Sequence, residues 1–186
     1  MKTYLIPFLF LLACCHDKEE PGLPPITSEG KNTFGCKING EVFVADGSGT
    51  DKPNRGIYAI FIANFDSIGK TLPIDSSNFY LIASSGNKKI ILFLRSEVKI
   101  DSNILNKTTY EYPIIVKPNN YGNAIINSQS FITDEFNHGK IVISKWDKKK
   151  FVIAGTFEFR VDSSRLSKQN CKVTEGRFDL DYSKTY

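Results

Sequence analysis

Phe151-Val152-Ile153-Ala154-Gly155-Thr156-Phe157-Glu158-Phe159-Arg160-Val161 is the stretch that decides the fold. Phe151, Ile153, Gly155, Phe157, Phe159 and Val161 share one parity, and Thr156, Glu158 and Arg160 share the other. Side chains of an extended chain point alternately to two faces, so this pattern is a half-buried strand of about 36 Å. Gly155, midway along, predicts a bend or a bulge. Upstream, Lys140 to Trp146 is a second strand, and Asp147 to Lys149 is the turn between them. Downstream, Cys171 and Val173 are odd while Phe178, Leu180 and Tyr182 are even. An apolar face cannot change parity within an unbroken strand, so a one-residue slip is expected at Glu175-Gly176.

The rest of the chain reads the same way. Phe34, Cys36 and Ile38 alternate with Gly35 and Lys37, and Asn39-Gly40 is a type I′ hairpin signal that returns through Glu41 to Ala45. Ile57 to Ala63, Phe79 to Ala83 and Ile90 to Leu94 are apolar on both parities, which predicts central strands covered on both faces. Ser96 to Thr109 is ambiguous, with a short helical turn near Ile104-Leu105. Tyr110 to Val116, interrupted by Pro113, reads as an edge strand, and Lys117 to Asn123 as a loop. Ala124 to Asn127 and Ser130 to Thr133 are short strands. Roughly ten strands at hairpin spacing, with no heptad or solenoid period, predict an all-β, antiparallel β-sandwich. The alternative is a closed, lipocalin-like barrel.

The N-terminus is of another kind. Lys2 precedes an apolar run from Tyr4 to Ala13, too short for the roughly 20 residues that span a bilayer as a helix. Leu11-Leu12-Ala13-Cys14 resembles a bacterial lipobox, which implies cleavage before Cys14 and acylation of its thiol. The expected organisation is a signal peptide at 1–13, a lipidated N-terminus and flexible tether at 14–33, and one β domain at 34–186. Pro21, Gly22, Pro24, Pro25 and Gly30 break regular structure in the tether. Lys18-Glu19-Glu20 resembles the surface-export signal of Bacteroidota lipoproteins, which implies an outer-membrane protein facing the medium.

Composition narrows the class. Removing residues 1–13 takes away Lys2 alone, so the formal charge of +4 becomes about +3. The one dense basic run, Lys148-Lys149-Lys150, lies in a hairpin turn, and no basic stripe carries interleaved aromatics, so nucleic acid is not an expected partner. Of the four cysteines, Cys14 takes the lipid and Cys15 sits on the tether. Cys36 and Cys171 are expected to pair in an oxidising compartment; the alternative is two buried thiols. Their spacing does not suggest zinc, and neither metal nor cofactor is expected.

Three segments resemble a family of uncharacterised Bacteroidota lipoproteins. They are Asn32-Thr33-Phe34-Gly35-Cys36-Lys37-Ile38-Asn39-Gly40-Glu41-Val42-Phe43, Ile153-Ala154-Gly155-Thr156-Phe157-Glu158-Phe159 and Val173-Thr174-Glu175-Gly176-Arg177-Phe178-Asp179-Leu180-Asp181-Tyr182. The chain departs from that family's Trp near Phe43 and from its second small residue before Gly155. The resemblance implies a membrane-anchored β domain and carries no catalytic residues with it. Asp66-Ser67-Ile68 resembles a Bacteroidota O-glycosylation sequon, which makes Ser67 a candidate modification site.

Candidate chemistry is sparse. His16 is on the tether, and His138 lies in a turn beside Asp134 and Glu135 without a nucleophile elbow. Asp179 and Asp181 are paired carboxylates, but alternation puts both on the wet face opposite Phe178, Leu180 and Tyr182. Asp46-Gly47-Ser48-Gly49-Thr50-Asp51 offers oxygens without the ligand order of a calcium loop. Tyr58, Tyr80, Tyr110, Tyr112, Tyr121 and Trp146 are candidate sugar platforms, and Tyr121, placed in a polar loop, is the foremost. The expectation is a non-catalytic, lipid-anchored surface domain that binds a glycan or a surface protein. The alternative is a barrel that carries a small apolar ligand.

Overall fold

The computed structural model describes residues 22–45, 56–62, 78–94, 101–105, 120–134, 136–161 and 169–183. Its eleven strands there are β1 Thr33–Ile38, β2 Glu41–Val44, β3 Ile57–Ile62, β4 Asn78–Ser85, β5 Lys88–Leu94, β6 Asp101–Leu105, β7 Tyr121–Ile126, β8 Gln129–Ile132, β9 Gly139–Asp147, β10 Val152–Val161 and β11 Cys171–Asp181. They form a six-stranded sheet in the order β2-β1-β11-β10-β9-β6 and a five-stranded sheet in the order β3-β4-β5-β7-β8. Every ladder is antiparallel. One apolar core joins the inner faces of the two sheets, so the architecture is the expected sandwich. The sheets end at β2, β6, β3 and β8 rather than closing on one another, and the barrel alternative is not what the chain adopts.

The core follows from the alternation. Ile153, Phe157, Phe159 and Val161 of β10 are buried, with Phe34 and Ile38 of β1 and Phe178 and Leu180 of β11 beside them. The Phe34 ring lies 5.1 Å from Phe157 and 6.4 Å from Phe178. Each such ring contributes about 1.5–3 kcal/mol on burial. Phe151 departs from the pattern: it takes φ +56°, turns outward and meets Tyr182 edge-on at 5.7 Å. The hairpin at Asn39-Gly40 forms with φ of 51° and 87°, the left-handed values a type I′ turn demands. Asn127-Ser128 makes a further turn of positive φ between β7 and β8.

Both expected irregularities occur. On β11, Gly35 pairs with Arg177 while Lys37 pairs with Thr174, so one residue is extra at Glu175. Glu175 itself takes the positive φ of 54°. Gly176 is needed for a different reason: a Cβ there would lie 2.5 Å from the Phe157 carbonyl oxygen. On the other side of β10, Ala154 pairs with Lys145 but Gly155 with Ile143, which leaves Ser144 of β9 unpaired in the ladder. This slip turns Lys145 to the outer face and Trp146 to the inner end of the sheet.

Some expectations need correction. Residues 101–105 form a strand rather than a helical turn. β3 is an edge strand, whereas β4 and β5 are central as expected. Phe93 is fully buried although it points away from the inter-sheet core. Residues 110–116 lie outside the described residues.

The cysteine pairing is also corrected. Cys36 and Cys171 are both buried and unbridged. Ile38 stands opposite Val173, and Cys36 and Cys171 extend from that pair in opposite directions. That register separates them by about four residues, or 13 Å along the ladder, against the roughly 7 Å limit between bridged Cα atoms. Burial, with Cys171 adding to it, pushes the Cys36 thiol far above its ordinary value, and burial pushes Cys171 up to about 11. Both thiols behave as small apolar side chains.

Candidate functional site

The outer face of the six-stranded sheet carries the features that alternation on β9, β10 and β11 leaves unpaired with the core. It divides into a covered half and an open half.

Residues 22–32, expected as a solvated tether, run across this face as a strap. Gly22 packs on Val42 of β2. Pro24 sits on Gly35 of β1, where a Cβ would approach the Pro24 ring to 2.5 Å. The Pro24 carbonyl accepts a hydrogen bond from Arg177 Nη1 at 3.4 Å, and the Ser28 carbonyl accepts one from Lys145 Nζ at 2.9 Å. The strap closes over Asp179. The Asp179 carboxylate accepts the Thr27 hydroxyl at 2.6 Å and the backbone N–H groups of Glu29 at 2.9 Å and Gly30 at 2.7 Å. Asn32 Oδ1 then accepts the Asp181 N–H at 3.0 Å as the chain enters β1.

Asp179 is 1% exposed, so its expected place on the wet face is corrected. It does point outward, but the strap lies over it. Burial raises its pKa, and the hydrogen bonds from Thr27, Glu29, Gly30 and Lys31 outweigh that and hold it below the usual carboxylate value. Its neighbour Asp181 is exposed, and its carboxylate accepts the Ser183 N–H at 2.8 Å. One is a buried clamp and the other a solvated turn acceptor.

The open half is ordered by register. Lys37 stands opposite Thr174, and Glu158 opposite Lys140. Arg160 stands opposite Lys172, and the Arg160 N–H donates to the His138 carbonyl at 3.3 Å. Glu158 and Lys140 face each other across the ladder, yet no ion pair joins them among the described residues. Lys37 does pair with Glu175 at 2.9 Å. Two shallow hollows adjoin here and share Lys140 and Glu158. One, of about 310 Å³, reaches His138, Arg160 and Lys172. The other, of about 350 Å³, reaches Ile26 of the strap and Arg177.

The remaining sequence candidates fall elsewhere. His138 is exposed, and Asp134 Oδ1 accepts the N–H groups of Phe136 and Asn137. Tyr121 opens β7 rather than lying in a loop, and its half-buried ring stacks on Phe93 at 5.0 Å and 21°, with Tyr80 on the far side of Phe93 at 4.6 Å. Trp146 is half-buried, donates from Nε1 to the Tyr182 hydroxyl at 2.9 Å and lies under Lys148. Cys14, Ser67, Tyr110, Tyr112 and the 46–51 loop lie outside the described residues, and Tyr58 is in β3. Among the described residues no three His, Cys, Asp or Glu side chains gather as a metal site. Sequence reading missed Thr27, Lys145 and the pairing of Arg160 with Lys172. Only the even parity of Glu158 and Arg160 pointed to this face.

No family profile, no curated protein and no solved structure matches the chain. The lipoprotein resemblance therefore rests on the residues quoted for it.

Proposed function

We propose that the protein is a lipid-anchored, non-catalytic β domain of the outer membrane, displayed on the cell surface as a binding, adhesion or accessory module. The observation that carries this reading is Leu11-Leu12-Ala13-Cys14, whose Cys14 lies eight residues before Gly22, the first described residue of the strap. Eight residues extend to about 28 Å at most. An acyl group on Cys14 would therefore hold the sandwich near the leaflet, and the strap would carry any pull on that anchor into the sheet through Asp179. One acyl chain binds a membrane only marginally, whereas two or three make the attachment effectively permanent.

The test is the intact mass of the cell-derived protein with its membrane fractionation. The expected product begins at Cys14, carries fatty acyl mass and sediments with membranes, and Cys14→Ser releases it. An unmodified Cys14, or membrane association that survives Cys14→Ser, contradicts the anchor. A glycan array probed with the same protein then tests the binding role.

A further inference from the structure

The open half of the six-stranded sheet is cationic, and the strap and β2 beside it expose aliphatic side chains where the chain leaves for Cys14. We infer that this half-face docks on the anionic headgroups of the leaflet that holds the acyl chains. The inference rests on the anchor reading and names the surface the domain meets once anchored.

Three observations converge. The first is charge. Among the described residues, Lys37, Lys140, Arg160, Lys172 and Arg177 project from this face, with Glu158 and Glu175 beside them and Glu175 paired with Lys37. Arg160 and Lys172 are direct cross-strand partners, which sets two cationic side chains side by side on this face.

The second is apolar exposure. Ile26, Val42 and Val44 are 59%, 44% and 39% exposed. Val42 stands opposite Lys37 and Val44 opposite Gly35, and Ile26 lines the hollow that contains Lys140 and Arg177. Aliphatic side chains interleaved with Lys and Arg are the composition of surfaces that lie in a headgroup layer, where the stems and methyl groups enter the boundary and the cations stay among phosphates.

The third is position. Gly22, the last described residue toward the anchor, packs on Val42 itself. A chain of eight residues from there to Cys14 keeps the β2 side of this face within about 28 Å of the lipid. Surface attraction is felt over about 10 Å at ordinary salt, a range that a tether of this length lets the face enter. Docking this way turns the five-stranded sheet toward the medium.

The experiment uses the mature protein purified from cells and reconstituted in vesicles of phosphatidylcholine, with or without phosphatidylglycerol. Amine-reactive labelling is read at Lys140 and Lys172, with Lys148, Lys149 and Lys150 of the β9–β10 turn as internal reference. The expected result is at least about threefold less labelling of Lys140 and Lys172 on anionic vesicles, reversed by high salt. That protection should vanish in a Lys140→Glu/Arg160→Glu/Lys172→Glu variant whose urea midpoint is unchanged. Equal labelling on both vesicle types overturns the inference. So does protection of the same size on neutral vesicles, or protection by a soluble sulfated polysaccharide that exceeds that of anionic vesicles, which would make the face a glycan site. The intact mass of the same sample reports Cys14 acylation separately. Should acylation be absent, the anchor reading fails, and cosedimentation of the unacylated chain with anionic vesicles still decides the docking.

Discussion

Asp179 and Glu158 occupy equivalent places in the alternation, polar residues between apolar ones on neighbouring strands of one sheet, and the structure treats them in opposite ways. Asp179 is sealed under the strap, with Thr27, Glu29 and Gly30 among the donors to its oxygens, while Glu158 stands exposed opposite Lys140. Period-two patterning says which face a side chain takes. It does not say what covers that face, and here the cover comes from Thr27, 152 residues away in sequence. The same sheet thus has a half that holds the N-terminus in place and a half left available for a partner.

That contrast can be broken by mutation. Asp179→Ala leaves the Thr27 hydroxyl and the Glu29 and Gly30 amides without their acceptor and is expected to lower stability by about 3 kcal/mol in urea unfolding. Glu158→Ala, on the open half, should stay within about 0.5 kcal/mol. Comparable losses at both positions would erase the distinction between the halves. Next in size is Gly176→Val, which forces a side chain against Phe157 and disturbs the bulge that sets Asp179 outward; about 2 kcal/mol is expected by the same assay.

The clamp also predicts an acid dependence. Its hydrogen bonds hold the Asp179 carboxyl lower in the folded chain than its ordinary value. Its contribution is therefore complete above the unfolded pKa and is lost as pH falls through the lower folded one. Urea midpoints followed downward from about pH 5 should show this loss in the wild type, and Asp179→Asn should remove that part of the slope. The smallest expected effect is none at all. Reductant should leave the urea midpoint unchanged, because Cys36 and Cys171 are unbridged, whereas a bridge would contribute about 2–5 kcal/mol.

Local signals were the legible part of this fold. Phe157 and Phe159 announced β10, Asn39-Gly40 the β1–β2 hairpin, and the parity change between Val173 and Phe178 located the bulge at Glu175. Each of those features is dictated by residues within a few positions of one another. What stayed hidden depended on distant partners. Pro24 and Gly30 looked like linker residues because their local chemistry is that of a linker, and only the steric gap above Gly35 and the buried Asp179 make them a strap. Cys36 and Cys171 looked pairable because an exported chain meets an oxidising compartment, and the register that parts them is invisible until the strands are aligned. Of the open face, the even parity of Glu158 and Arg160 was readable, but their alignment with Lys140 and Lys172 was not.

Hydrogen exchange of the backbone amides of Glu29 and Gly30 is the most direct test that a buried carboxylate closes half of this sheet. At neutral pH these amides should exchange slowly in the wild-type chain, as strand amides do, and rapidly in Asp179→Asn while β10 and β11 stay protected. Rapid exchange at Glu29 and Gly30 in the wild type would contradict the account.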